Sequence, residues 1–266
     1  MRSVLAAVTA AVMCAAGWQM AQAEEFFPPT PLGDRMGWCV IEEVLYITGE
    51  GEMPCPVLPG ESAPEEGRVS PWNQEDLTIR TIKVSEGVTS LMDYSFTDRW
   101  DPGRIYLPLS LQRIGKVALW MTELFDIYYA GTEEMWDRIE GSKNVSCLNG
   151  EYTNIHFMGH ESISDGVPNE YGVIPLNNPY VYAVPLQEQE LYAQPSLSSP
   201  SEMMVSRPVM RCIGYYYDQQ GQKWWYVADA WTGESTGWHI DRPGELLIEL
   251  RPKNGQDEGM RVLPGN

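Results

Sequence analysis

The stretches "RTIKVSEGVTSLMDYSFTD" (residues 80–98) and "GRIYLPLSLQRIGKVALWM" (residues 103–121) carry the same pattern of apolar residues. At an offset of 23 residues, five apolar positions of the first stretch match five of the second: Ile82, Val84, Val88, Leu91 and Phe96 fall over Ile105, Leu107, Leu111, Ile114 and Leu119. A third copy begins at "DIYYAGTEEMW", where Ile127 and Tyr129 follow at an offset of 22. A fixed period in the twenties is typical of a solenoid of stacked coils. We therefore predict short strands with one buried face, whose repeated apolar residues form a core ladder and carry no chemistry.

These segments resemble the BspA-like class of bacterial leucine-rich repeats. "IKVSEGVTSLMDYSF" and "IYLPLSLQRIGKVAL" match the repeat itself, and "IYYAGTEEMWDRI" with "YTNIHF" is similar to the closing segment of such arrays. "VLYITGEGEMPC" and "SPWNQEDLTIRTIKVSEGV" resemble the opening segment, so the likeness covers residues 37–157. It departs at Asp101-Pro102-Gly103 and at Leu91-Met92, where the family has a different loop and Ile-Gly. The resemblance implies a surface or extracellular role in binding a protein or host partner.

Two full copies and a partial third are near the lower limit for a stable array, so the ends of the array need caps. We expect Trp38 and Trp72 to cover the front, and Tyr128, Tyr129 and Trp136 to cover the back. Burial in a cap is favoured for these aromatic residues over stacking on a ligand.

The first residues have the composition of a secretory signal peptide. Arg2 precedes an apolar run from Val4 to about Gly17, and the triplet Ala21-Gln22-Ala23 fits a cleavage site near Ala23. A lipid anchor on Cys14 is the alternative, which Met13 fits poorly. No later apolar run reaches the roughly 18 residues that a membrane-spanning helix needs. We therefore expect a secreted or cell-surface protein without membrane insertion.

The net charge disfavours some classes of partner, and the number of cysteines bears on disulfide bonding in an exported protein. A formal net charge of −19 disfavours binding to nucleic acid or to a bare anionic membrane. Cys39, Cys55, Cys147 and Cys212 are an even number in an exported chain, and they allow three pairings. Cys39 and Cys55 are the pair most easily closed, whereas Cys147 and Cys212 are expected to be buried thiols in different domains.

The periodicity stops between Met158 and Pro179, a stretch punctuated by glycine and proline that we interpret as a semi-rigid linker. Short β-rich runs follow, including "VMRCIGYYY", "WWYVADA" and "TGWHI", which predict a small β-barrel. Residues 180–241 resemble the bacterial SH3-type domain through "LYAQPSLSS", "GQKWWYVADA" and "TGESTGWHI", although the insert "PSEMMVSRP" is atypical. The resemblance implies that the domain binds a cell-wall peptide, which makes peptidoglycan a candidate partner.

The ligand-binding candidates of the barrel are aromatic residues that a single groove would bring together: Tyr192, Trp224, Tyr226 and Trp238. Strand alternation places Trp225 and Val227 on one face of "KWWYV" and Trp224 and Tyr226 on the other. One of the two faces has to be core, and the pattern alone does not say which.

The sequence offers little for catalysis, cofactors or metals. His156 and His160 are four residues apart beside Glu161, but the segment reads as a strand that runs into a loop, so a surface or cap role is favoured over a zinc site. His239 is expected to be partly exposed. No nucleophile elbow, zinc-protease motif or phosphate-binding loop occurs. We predict no catalytic residues, no cofactor and no metal, while carboxylates are too numerous to exclude a glycosidase pair by counting.

Together these interpretations predict a mainly β protein: a short leucine-rich-repeat solenoid followed by a small SH3-like barrel. The predicted segments are a signal peptide (1–23), an N-terminal tail (24–36), the capped repeats (37–157), a linker (158–179), the barrel (180–250) and a C-terminal tail (251–266). The predicted function is non-catalytic binding. The alternatives are an envelope hydrolase that uses unrecognised carboxylates, and a structural spacer or assembly factor.

Overall fold

The fold is taken from a computed structural model, which describes residues 26–54, 70–73, 77–96, 102–120, 124–145, 153–199, 201–205, 209–230, 232–253 and 259–263. Strands dominate these residues, and the α-helical part is one turn, α1 (Glu133–Trp136), followed by a 3-10 turn at Ser142–Asn144. The prediction of a mainly β protein is therefore confirmed. No helix within the described ranges is long and apolar enough to cross a membrane.

The first sheet holds the repeats and has eight strands. In sheet order they are β1 (Phe26–Leu32), β2 (Met36–Ile41), β3 (Val44–Gly49), β5 (Thr81–Val84), β7 (Arg104–Leu107), β9 (Asp126–Tyr129), β10 (Thr153–Phe157) and β19 (Gly259–Leu263). The first three strands pair antiparallel, and β3, β5, β7, β9 and β10 then pair parallel in succession. We call the part from β1 to β10 the repeat unit.

The matched apolar residues of the repeat lie opposite one another. Ile82 pairs with Ile105, Ile105 with Ile127, and Ile127 with Ile155, all fully buried. Alternation explains the buried face, because Ile82 and Val84 point inward while Thr81 and Lys83 stay half-exposed. The offset of 23 residues read from the sequence is thus the step from one coil to the next.

A small parallel sheet forms the opposite wall of the coils: β4 (Gly51–Glu52), β6 (Val88–Leu91) and β8 (Arg113–Ile114). Leu91 pairs with Ile114 in this wall, and the Phe96 amide donates to the Ala118 carbonyl of the next coil at 3.0 Å. Both walls therefore contribute to one core.

Aromatic residues pack at the two ends of this core. The Trp72 ring lies between Trp38 and Phe96, with centroids 5.9 Å and 5.4 Å away, and the Trp72 indole donates to the Ser95 carbonyl at 2.9 Å. At the other end, Tyr129 packs edge-on against Trp136 of α1 at 5.5 Å. Tyr128 does not point into this core; its ring lies between Tyr106 and His156 on the outer face of the strands.

The second sheet contains seven antiparallel strands, in the order β14 (Ser201–Val205), β13 (Gln189–Tyr192), β17 (Ser235–Ile240), β16 (Lys223–Asp229), β15 (Met210–Tyr217), β12 (Val181–Pro185) and β18 (Leu246–Leu250). A short strand, β11 (Ile174–Pro175), pairs with β15. Among the described residues β14 and β18 do not pair, so the sheet is open and the predicted closed barrel is not found.

The edge of β18 that does not face β12 bonds to the repeat unit, and it therefore does not pair with β14 to close a barrel. The Ile248 amide donates to the Ser85 hydroxyl at 2.9 Å, and the Glu86 amide donates to the Ile248 carbonyl at 2.7 Å. Lys83 and Glu249 form an ion pair at 2.8 Å across the same contact.

Apolar packing joins the two units further. Leu247 of β18 and Leu186, directly after β12, form a buried cluster with Cys39 and Ile41 of β2, and Tyr46 packs against it. Tyr106 and Tyr128 pack against the core of the second sheet. The two parts predicted as separate modules therefore share an extensive interface.

Three predicted non-structural segments contain strands instead. Part of the predicted N-terminal tail is β1, whose prolines are compatible with an edge strand. Part of the predicted linker is β11, and part of the predicted C-terminal tail is β19, which pairs antiparallel with β10. The prediction of a tail at these two termini is wrong for residues 26–32 and 259–263, where backbone pairing with the repeat sheet decides the conformation.

Candidate functional site

The four predicted ligand-binding residues come together on one face of the second sheet. Trp224 and Tyr226 of β16 cluster with Tyr192 of β13 and Trp238 of β17. Tyr226 stacks on Trp238 with centroids 4.7 Å apart, and Trp224 meets Tyr192 edge-on at 5.4 Å. We call this group of four residues the aromatic cluster.

Most of the aromatic cluster is buried by its own neighbours. Trp224 is 1% exposed, and Tyr192 and Trp238 are below 9%. Tyr226 is half-buried, as is Tyr216, which packs edge-on against Trp238 at 6.4 Å. A ligand could therefore reach the cluster along the Tyr216 and Tyr226 edge.

The opposite face of the second sheet is the core. Trp225 and Val227 lie there with Val181, Leu246 and Ile248, all fully buried or nearly so. Alternation along β16 thus separates core from cluster, and the core face is the one that meets the repeat unit.

The outer face of the repeat strands is lined by a row of polar and aromatic residues. Tyr106 stacks on Tyr128 at 4.7 Å, Tyr128 stacks on His156 at 4.4 Å, and the Lys83 ammonium lies 5.4 Å from the Tyr106 ring. Because Lys83, Tyr106 and Tyr128 also contact the second sheet, this face is largely covered within the chain.

A charged cleft lies where the second sheet meets the first two hairpins of the repeat unit. It is lined by residues from four places in the chain: Asp34 and Arg35 of the β1–β2 turn, Gly49 and Glu50 at the end of β3, Gly221, Gln222 and Lys223 where β16 begins, and Asp241 and Pro243 after β17. Its volume is about 150 Å³. We call it the junction cleft.

Lys223 is the central cation of the junction cleft. Its ammonium donates to a Glu50 carboxylate oxygen and lies 4.4 Å from the Trp225 ring, 4.8 Å from Tyr215 and 5.6 Å from Tyr217. These distances are within the range of cation–π attraction. Burial alone would lower the pKa of Lys223, but the carboxylates of Glu50 and Asp241 outweigh it and raise the pKa. The raised pKa favours the protonated form of Lys223.

Asp241 is the innermost carboxylate of the cleft. Burial raises its pKa to about 6, against the opposing effects of Lys223 and of the Trp225 indole, which donates to Oδ2 at 2.8 Å. Its carbonyl accepts from the Gln222 side chain at 2.7 Å, and its amide donates to the Lys223 carbonyl at 2.9 Å. The Asp241 backbone is thus fixed on both sides.

Glu86 is a second buried carboxyl group, in the turn between β5 and β6. Burial raises its pKa to about 7, although the Leu109 amide donates to its Oε2 at 2.9 Å and Ser110 also bonds to it. It lies beside the Ser85–Ile248 contact that joins the two units. A group that is neutral in mildly acidic solution and charged in alkaline solution therefore lies at the interface.

His156 and His160 have separate hydrogen-bond partners. His156 bonds to Asp126 at 2.9 Å, while His160 is fully buried and bonds to the Arg251 carbonyl at 2.9 Å and to the Asn178 side chain at 3.2 Å. Of the predicted surface or cap role, the surface alternative is wrong for His160, because these partners allow its burial. No group of three or more histidine, cysteine or acidic side chains within the described ranges could hold a metal ion.

His239 is also fully buried, so its expected partial exposure is wrong. His239 of β17 pairs with Trp225 of the neighbouring strand β16, and neither ring nitrogen of His239 finds a hydrogen-bond partner among the described residues. Burial lowers its pKa to about 4, which keeps the imidazole neutral at physiological pH.

The cysteines are only partly covered by the described ranges. Cys39 is buried in β2, but Cys55 lies outside the described residues, so a bond between them stays a prediction. Cys14, Cys147 and the signal-peptide cleavage site near Ala23 lie outside them too. Cys212 is a free thiol in the core of the second sheet, and burial raises its pKa, which makes it a poor nucleophile.

Sequence reasoning missed the junction cleft entirely. Its charged residues are spread from Asp34 to Asp241 and meet only because the two units dock. The one local signal is Lys223, a cation placed directly before the aromatic run "WWYV".

Comparison with known proteins gives one structural likeness. No protein-family model and no curated protein matches the chain. A crystal structure of a leucine-rich repeat protein from Eubacterium ventriosum ATCC 27560 is similar, with 13% sequence identity and a TM-score of 0.30. The match covers 60% of this chain and 50% of the other, so the chain spans about half the length of that protein.

Proposed function

We propose that the protein is an exported, non-catalytic binding protein in which a short leucine-rich-repeat solenoid supports a ligand-binding second sheet. The convergence of Tyr192, Trp224, Tyr226 and Trp238 into one aromatic cluster carries the proposal. Because the cluster lies on the sheet face opposite the core, ligand contact there would not disturb the interface with the repeats. The resemblance of residues 180–241 to the SH3-type domain makes a cell-wall peptide the favoured ligand.

The covered face of the repeat strands supports this division of roles. Tyr106 and Tyr128 pack on the second sheet, and Lys83 pairs with Glu249. A protein or host-surface partner of the repeats would have to bind outside this face. We therefore assign the wall-peptide ligand to the second sheet, and a further partner would bind the uncovered surface of the repeats.

A pull-down of residues 24–266 on purified peptidoglycan tests the proposal. The unmodified protein should be retained, and Tyr226→Ala should reduce retention roughly tenfold, as loss of an aromatic anchor commonly does. Tyr171→Ala is the matched control, because this tyrosine is 76% exposed in a loop and lies outside the cluster. Circular dichroism of both variants confirms that they fold. Absence of retention of the unmodified protein would reject the wall-peptide ligand.

An envelope hydrolase is the second candidate, favoured by the carboxylates of the junction cleft. Asp241, with a pKa raised to about 6, and Glu50 line the same cleft, and a carboxyl group with a raised pKa is typical of a glycosidase general acid. Incubation with peptidoglycan at pH 5 to 6, followed by analysis of released fragments, tests this candidate. Release by the unmodified protein that Asp241→Asn abolishes would replace the binding proposal.

A further inference from the structure

We propose that the junction cleft binds a small dipolar molecule that carries both a protonated amine and a carboxylate, such as a free amino acid or a dipeptide. The inference rests on the free charged groups of the cleft and does not depend on the role of the aromatic cluster. At about 150 Å³ the cleft is smaller than the roughly 300–1,000 Å³ of common ligand pockets. It therefore suits a ligand of the size of one or two amino-acid residues.

The inner wall of the cleft offers a free acceptor. Asp241 uses its Oδ2 to accept from the Trp225 indole, and no hydrogen bond to Oδ1 occurs within the described part of the chain. A half-buried carboxylate with an unused oxygen gains from a charge-assisted hydrogen bond. An ammonium group of the ligand supplies that bond and also offsets the burial that raises the pKa of Asp241.

The rim of the cleft offers a free donor. The Arg35 guanidinium lies over Gly51, so closely that a β-carbon at Gly51 would come within 2.7 Å of Nη2. Among the described residues Arg35 is exposed and forms no ion pair. Its planar fork can bind a carboxylate through two parallel hydrogen bonds. Lys223 is not available for this role, because Glu50 already pairs with it.

The mixture of charges selects a dipolar ligand over a simple ion. An anion would approach Asp34, Glu50 and Asp241, three carboxylates that repel it. A metal ion finds no suitable group of ligands within the described ranges. A molecule with one amine and one carboxylate can satisfy Asp241 and Arg35 together, while Asp34 at the rim adds to the attraction for the amine.

Calorimetric titration of the full chain at pH 7 with three related probes tests the inference. Glycylglycine carries both charges, N-acetylglycylglycine lacks the amine, and glycylglycinamide lacks the carboxylate. We expect glycylglycine to bind at least tenfold more tightly than either analogue. Arg35→Ala should reduce the affinity for glycylglycine to that for glycylglycinamide, and Asp241→Asn should weaken both amine-bearing probes.

Arg104→Ala serves as the matched control, because Arg104 is an exposed arginine of β7 outside the cleft. Absence of binding of any probe to the unmodified protein overturns the inference, and so does equal affinity for the three probes. An unchanged affinity in Arg35→Ala also overturns it. This exposed substitution keeps the test decisive even if Asp241→Asn does not fold.

Discussion

Lys223 illustrates at the scale of one residue how a buried charge can be accommodated. Its side chain is 10% exposed, and three aromatic rings and the Glu50 carboxylate replace the water that it loses. The aromatic faces attract the cation, and the carboxylate neutralises it. The residue thereby links β16 of the second sheet to the segment that follows β3.

Lys223→Met should lower the free energy of unfolding by about 3 kcal/mol, near the low end for breaking a buried ion pair, because Glu50 stays partly hydrated. Urea titration followed by tryptophan fluorescence measures the change. Arg80→Ala is the control, since its pair with Glu43 is largely exposed and should contribute less than about 1 kcal/mol. Equal effects of the two substitutions would contradict this assignment.

The raised pKa of Glu86 predicts that the stability of the protein falls as the pH rises. Its pKa is raised from 4.5 to about 7 by burial, so the folded state keeps a proton that the unfolded state releases. The resulting contribution is complete below pH 4.5 and is lost as the pH rises to about 7.

Glu86→Gln should remove this dependence while retaining an acceptor for the Leu109 amide. Relative to the unmodified protein, the variant should gain stability on the order of 3 kcal/mol between pH 4.5 and pH 8. Urea titrations of both proteins at the two pH values give the difference, in which the opposite effect of His239, whose pKa is lowered, cancels. A constant difference between the proteins would show that Glu86 titrates normally.

The candidate sites differ in how far the sequence could predict them. The aromatic cluster was predictable because three of its members lie on neighbouring strands of one hairpin, where alternation places them on the same face. The junction cleft was not predictable, because Arg35 and Asp241 meet only through docking of the two units.

At the scale of the strands, the sequence predicts the repeat strands but not the edge strands of the two sheets. The regular offset of the apolar residues predicts that Ile82 pairs with Ile105. Strand β1 contains prolines and β19 follows a polar stretch, so neither has a clear strand pattern. The open second sheet was missed because the edge of β18 is satisfied by the Ser85–Glu86 turn, a contact that no local pattern shows.

The start of β2 approaches the β17–β18 turn so closely that it requires glycine at position 37. A β-carbon at Gly37 would lie 2.7 Å from the Gly244 nitrogen and 2.8 Å from the Pro243 carbonyl carbon. Gly37→Ala should therefore separate the two elements and cost about 1–3 kcal/mol of stability, as overpacking commonly does. A urea midpoint unchanged from that of the unmodified protein would show that the turn can move without cost.

The whole molecule should unfold as one unit. The two sheets share apolar clusters and backbone hydrogen bonds, and the strand face of the repeats is covered by the second sheet. Differential scanning calorimetry should therefore show one transition with equal calorimetric and van't Hoff enthalpies.

Ile105→Ala provides a sharper test of this coupling. It removes a fully buried side chain of the repeat core and should cost about 2–5 kcal/mol. The single transition should move to lower temperature as a whole. Two separated transitions, with only one displaced, would show that the units fold independently.

Strand β19 has a consequence for synthesis of the chain. It gives β10 its second neighbour, yet about 100 residues separate the two strands in the sequence. A ribosome that adds about 5–20 residues per second needs roughly 5–20 seconds to reach β19 after completing β10. During that interval the nascent chain presents an unpaired strand edge, the kind of surface that recruits other chains. This unpaired edge is an aggregation risk of the growing chain, and it ends when β19 pairs with β10.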